Sequence, residues 1–151
     1  MVADTELSSA HRTALTSVLD ALMPPSADRR LPGAGELGLA HEIERQLGAM
    51  CVFIARGLDA LDALARERGA GGFAALPSAG RAEVLSAHSA SDPGFLPGLL
   101  FQIYSAYYQH PRVLEGLGLE PRPPHPKGYA LEQPDLEALL APVRARSRLY
   151  R

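Results

Sequence analysis

A single cysteine, Cys51, stands in 151 residues, which excludes an intrachain disulfide and a thiolate metal cage. Flanked by Met50, Val52, Phe53 and Ile54, it is expected to be a small buried thiol. No CxxCH run occurs, so covalent c-type haem is excluded too. Charge of one sign is also lacking. A formal net charge of −2 supplies no field to draw phosphate or an anionic membrane, which argues against nucleic acid as a partner. The arginines are spread along the chain except for Arg144, Arg146, Arg148 and Arg151, a cluster read as a solvated helix end. No apolar run approaches the roughly 18 residues of a spanning helix, so no membrane insertion is expected. Met1 to Ala10 lacks a basic segment leading into an apolar one, and Arg29-Arg30 runs into Leu31-Pro32-Gly33. No signal peptide is visible. As written, the chain is expected in the cytoplasm; the alternative is the periplasm, reached with an exported partner or through a signal since removed. Alternating strand patterns and internal repeats are missing as well.

What is present is helical periodicity in a chain of one-domain length, 46% hydrophobic and 21% charged, a globular balance. Leu15, Val18, Leu19 and Leu22 form one stripe, with Ser8 or Ser9 as cap and Pro24-Pro25 as stop. Ser26 to Gly35 reads as an ordered surface loop. A short helix is expected over 36–47 and a longer one over 48–68, the pair bending near Gly48. Met50, Ile54, Leu58, Leu61 and Leu64 or Ala65 would be buried, and the glycines at 69–72 would close the end. Ser78 is the expected cap of a helix to Ser89 that buries Ala82, Leu85 and Val84. Asp92-Pro93 is expected to open a helix to His110. That segment is apolar on nearly every side, so it is either central or covered by another chain. A short turn over 112–117 follows, then an extended proline segment, Pro121 to Pro126. A last helix begins at Pro134 or Asp135 and uses Leu136, Leu139, Leu140 and Val143, with Pro142 kinking or ending it. The fold class is all-α: a single domain over 1–151, a bundle of five or six helices with proline-rich surface segments.

Catalysis from side chains would need a nucleophile with a base, paired carboxylates, or a metal cage. The histidines, His11, His41, His88, His110 and His125, all fall in or beside expected surface stretches. His41 and Glu44 give one reversed copy of a bundle metal motif with no second copy. Asp59 and Asp62, with Arg56 and Arg66, have the spacing of surface ion pairs. The glycines at 69–72 lack the lysine and preceding strand of a phosphate loop, and no dinucleotide fingerprint occurs. No catalytic, cofactor-binding or metal-binding residue is therefore assigned to this chain, and it is not expected to be an enzyme by itself.

The tyrosines carry the remaining weight. Tyr107, four residues after Ile103, suits the core, while Tyr104 and Tyr108 point together along another side with Arg112 one turn on. Tyr and Arg are enriched at the energetic centres of interfaces. The competing possibility is that these hydroxyls bond to the nearby proline loop within the domain. The candidate partner-binding residues are Tyr104, Tyr107, Tyr108, Arg112, Arg122 and Tyr129, with 122–126 as a stiff docking edge.

These residues also fall into a familiar order. Leu19-Asp20-Ala21-Leu22-Met23-Pro24-Pro25, Leu31-Pro32-Gly33-Ala34-Gly35 and Leu37-Gly38 come first, then Gly72-Phe73-Ala74-Ala75-Leu76-Pro77. Tyr107-Tyr108, His110-Pro111-Arg112-Val113, Leu117-Gly118-Leu119, Arg122-Pro123-Pro124 and Lys127-Gly128-Tyr129 follow. Pro142-Val143-Arg144-Ala145-Arg146 and Leu149-Tyr150-Arg151 close the set. Together they resemble the gluconate 2-dehydrogenase subunit 3 family. The resemblance implies a small accessory subunit that binds and stabilises a large FAD-dependent dehydrogenase of the glucose–methanol–choline type, and assists its folding or export. It implies no cofactor in this chain, FAD in the partner, a sugar or sugar-acid hydroxyl as the partner's substrate, and a cytochrome as a further candidate partner. Many members begin with a twin-arginine signal; this sequence does not. The alternative function is a self-associating helical module without a dehydrogenase partner.

Overall fold

The computed structural model describes residues 6–122 and 134–146. The chain divides into two compact units, Met1–Pro121 and Arg122–Arg151. Among the described residues of the first, six α-helices follow one another: α1 (Ser9–Leu22), α2 (Leu39–Leu47), α3 (Cys51–Glu67), α4 (Ser78–Ser91), α5 (Phe95–Tyr107) and α6 (Pro111–Gly116). Short 3-10 turns cover Gly48–Met50 and Phe73–Ala75. No strand occurs among the described residues, and the fold is all-α as expected. The second unit holds α7 (Leu136–Arg144).

The caps explain most of the boundaries. Ser8 closes a reciprocal box with His11: its hydroxyl accepts from the His11 N–H at 3.1 Å, and His11 Nδ1 accepts from the Ser8 N–H. α3 ends on Gly69 in the left-handed region (φ 81°), where the Ala70 N–H reaches Ala65 O and the Gly69 N–H reaches Arg66 O. Gly118 repeats this arrangement after α6. The bend between α2 and α3 falls at Gly48, whose φ of 49° a side chain would strain.

Several boundaries differ from the sequence expectation; the fifth helix, for one, ends at Tyr107 rather than His110. The second helix starts at Leu39 rather than Glu36, because the chain first turns through Gly38 in the left-handed region. The fourth helix takes Pro77, not Ser78, as its flanking residue. The fifth starts at Phe95, because the Asp92 carboxylate accepts from the Gly94 N–H at 3.1 Å and holds a turn before the helix.

The core of the first unit is made where α1 packs on α2 and α3, α3 on α4, and α2 and α3 on α5. Leu15, Val18, Leu19, Ile43, Ile54, Leu58, Leu61, Phe95, Leu99 and Ile103 are all fully buried within it, and Cys51 is buried. α5 meets α3 at Gly57, where an added Cβ would overlap the edge of the Phe95 ring. His88 overturns the expectation that every histidine lies at the surface: it is 4% exposed and meets Phe95 edge-on, with centroids 4.9 Å apart. Ala82, expected to be buried, is exposed instead. The loop over 26–35 is also less superficial than its composition suggests, because Pro32, Gly33 and Ala34 are buried.

One charged pair belongs to this core. Glu44, 8% exposed, accepts from Arg12 Nε at 2.7 Å, from Arg12 Nη2 at 2.9 Å and from the Leu7 N–H at 2.8 Å. Hydrogen bonding to Arg12 and to the Leu7 backbone holds its carboxyl below the usual carboxylate range, against the opposing effect of burial. A carboxylate whose folded pKa lies below its unfolded value stabilises the fold above the unfolded pKa, and that contribution is lost as pH falls through the folded one. Glu44→Gln is expected to lose about 1–2 kcal/mol at neutral pH, the half-exposed Arg12 keeping the figure modest. The variant's deficit relative to the native chain should shrink below about pH 4, near the reference carboxyl value. Urea melts at pH 7 and pH 3.5 measure this; a deficit independent of pH would show that the charge plays no part.

Candidate partner-binding surface

α5 determines what the first unit shows to its surroundings. Phe95, Leu99, Ile103, Ala106 and Tyr107 point into the core. At 100° per residue the opposite face carries Pro97, Phe101, Tyr104 and Tyr108, the last just past the helix end. These four are exposed, with Phe101 at 69%, Tyr104 at 45% and Tyr108 at 47%. No charged residue occurs anywhere from Phe95 to Gln109. Phe53 of α3 flanks the stripe: it is 38% exposed and would meet a Cβ on Gly98 at 3.5 Å. Solvated helix faces ordinarily carry charge, so an uncharged aromatic stripe of this kind is the candidate contact surface.

The tyrosines separate into two roles. Tyr107 is buried and its hydroxyl donates to Pro32 O at 2.8 Å. Burial pushes its phenol pKa up. Tyr107 is thus core and leaves the partner-facing set, its hydroxyl committed to the loop at Pro32. Tyr104 and Tyr108 lie side by side, ring centroids 5.9 Å apart, and Tyr108 also meets Tyr107 edge-on at 5.2 Å. Arg112 is exposed but does not continue the stripe, because α5 ends at Tyr107 and the chain turns before α6 begins at Pro111. Arg122 is half-buried at the start of the second unit. Tyr129, and the rest of the docking edge over 123–126, lie outside the described residues.

Sequence reasoning missed Phe101 and Phe53. The signal for Phe101 was available: it lies three before Tyr104 and seven before Tyr108, on the face opposite Leu99 and Ile103. Phe53 had no local signal, since its place beside α5 depends on how α3 packs.

Residues 9–120 match the family described as gluconate 2-dehydrogenase subunit 3. The chain belongs to this family. The family is named for a subunit of a gluconate dehydrogenase, which implies a dehydrogenase complex. The match takes in α1 through α6 and both Gly69 and Gly118 caps, whereas the motifs from Arg122 onward lie beyond it. No curated protein and no solved structure matches the chain.

The polar groups elsewhere on the chain are mostly committed to structure. A cleft of about 350 Å3 lies between α2 and α5, lined by Leu39, Glu42, Gln46, Ser105, Gln109 and His110. Its Glu42 carboxylate is taken by Arg45 and Gln46, and His110 Nδ1 accepts from the Arg112 N–H. Asp59 pairs with His11 at 2.9 Å rather than with Arg56, and Asp62 accepts from the Phe73 N–H at 2.7 Å and from Arg66 at 3.3 Å. Among the described residues no group of three His, Cys, Asp or Glu is placed to hold a metal ion, and no helix is long and apolar enough to cross a membrane.

Proposed function

We propose that this chain is a non-catalytic accessory subunit that binds and stabilises a large FAD-dependent dehydrogenase acting on a sugar or sugar-acid hydroxyl. The observation that carries the reading is the uncharged stripe Pro97, Phe101, Tyr104 and Tyr108, aimed away from the core by a helix whose other face is fully buried. Family membership names the kind of complex in which such a face would be covered. The partner supplies the flavin and the chemistry; this chain supplies a rigid helical surface. Transfer of electrons to a cytochrome would be a property of the assembled complex.

Co-expression with a large FAD-dependent dehydrogenase subunit from the same source, followed by size-exclusion chromatography with flavin absorbance recorded, tests the proposal. The expected result is a single peak holding both chains and bound flavin. Separate elution, with the large chain soluble and active by itself, would refute it.

A further inference from the structure

α4 turns one polar side chain inward. Its buried residues are Val84, Leu85 and His88, at i, i+1 and i+4, so His88 stands where the helix period calls for an apolar residue. The imidazole is 4% exposed, and its Nε2 atom is buried without a hydrogen-bond partner among the described residues. Buried polar atoms in folded proteins nearly always have a partner, and one that does not requires an account. A leucine at this position would carry no such cost.

The neighbouring rings supply the account. The His88 and Phe95 centroids lie 4.9 Å apart with the rings at 69°, and those of Phe95 and Phe53 lie 6.3 Å apart at 55°. Both separations fall in the roughly 4.5–7 Å range of interacting rings. A near-perpendicular pair sets the edge of one ring on the face of the other. The Cδ2–Cε2 edge of Phe95 is already taken by Gly57, whereas the imidazole edge carries a nitrogen in want of a partner. The face of an aromatic ring is negative and accepts an N–H weakly. A neutral imidazole has one N–H. On Nε2 it would meet that face attractively; on Nδ1 it would leave the Nε2 lone pair against it. The row of rings runs from buried His88 through fully buried Phe95 to Phe53, 38% exposed beside the α5 stripe.

We propose that His88 Nε2–H donates to the face of the Phe95 ring, and that His88 is thereby the positioning residue which, through Phe95, holds Phe53 at the margin of the docking face. The role in docking rests on the accessory-subunit reading; the ring contact does not.

The test begins with the native full chain, isotope-labelled, at pH 8, above the ordinary imidazole range of about 6.5. Long-range proton–nitrogen correlation is expected to show His88 as the Nε2–H tautomer, with that proton shifted upfield by the Phe95 ring; the His88 signals are those absent from His88→Leu. An Nδ1–H tautomer, or an Nε2–H proton without the ring shift, would overturn the contact. This readout is taken on the native chain, so it decides even where a variant does not fold. Overhauser contacts between Phe53 and Phe95 are expected in the native chain and in His88→Gln, which keeps an amide donor at the reach of Nε2, and are expected to weaken in His88→Leu. In calorimetric titration of the purified dehydrogenase subunit, His88→Gln should bind as the native chain does and His88→Leu about fivefold more weakly. Equal affinity in the two variants, whether native or reduced, would overturn the positioning role, since the donor is what glutamine keeps and leucine lacks. A native chain that binds no dehydrogenase would remove the accessory reading and leave the ring contact to the tautomer and the Overhauser contacts.

Discussion

Replacing Gly57 by valine is expected to leave the helical body close to marginal stability. Any Cβ at this position would overlap the edge of the Phe95 ring, and Phe95 has nowhere to go: it is fully buried, with His88 edge-on at 4.9 Å and Phe53 at 6.3 Å. Two effects compete in the smallest substitution, Gly57→Ala. Alanine in a helix interior gains about 1 kcal/mol over glycine, whereas overpacking a filled core costs about 1–3 kcal/mol. The clash wins here because a ring inside a packed core cannot step aside, and a net loss of up to about 2 kcal/mol is expected. Valine adds two further methyl groups at the same contact, and a loss of about 4 kcal/mol approaches the 5–15 kcal/mol that holds a domain of this size together. Urea denaturation followed by helical circular dichroism reads both variants. Phe95→Leu should restore part of the loss in the Gly57→Ala background and cost stability in the native one. Gly57→Ala at native stability or above would show that α3 and α5 do not approach through this glycine.

Phe101→Asp is expected to abolish binding of the dehydrogenase subunit while leaving the fold intact. At 69% exposure Phe101 contributes little to the core, so the variant's melt should match that of the native chain. In a docked complex the same position lies mid-stripe, with Pro97 on one side and Tyr104 and Tyr108 on the other. An aspartate there would be desolvated with no cation on α5 to pair with it. The loss should exceed a hundredfold in affinity, about 3 kcal/mol. Tyr108→Ala removes a ring from the margin of the stripe and is expected to weaken the complex about tenfold. Native affinity in Phe101→Asp would exclude α5 as the interface, whatever else the chain does.

Much of this fold is legible in the sequence where one local rule acts alone. The α1 stripe, the Ser8 cap, the glycine that ends α3 and the Asp135 start of α7 follow from periodicity and capping. Legibility fails where a side chain serves two local rules. Asp92 is both a helix cap and a turn former, and the turn takes it. It fails again where burial is decided by a distant segment. His88 is polar in any periodic count, yet Phe95 and the α3–α4 packing enclose it. Tyr107 and Tyr108 are neighbours with the same side chain, but only the first faces Pro32, 75 residues away. The stripe was half visible for the same reason: Tyr104 and Tyr108 stand out by residue type, whereas Phe101 becomes a surface residue only once Leu99 and Ile103 fix the inward face.

The hydrogen bond from Tyr107 to Pro32 bears on the docking proposed for this face. It ties the end of α5 to a loop that is itself closed by the Ala34 N–H on Met23 O and the Ser26 N–H on Leu31 O. Tyr108, the next residue, therefore leaves a braced helix end, its ring set against Tyr107. A surface held in its bound shape has little conformational freedom left to surrender on association, and what it saves appears as affinity. Cutting the brace with Tyr107→Phe leaves every contacting side chain in place. Any slowing of complex formation in that variant is the entropy of a platform that must be assembled at each encounter instead of once, during folding.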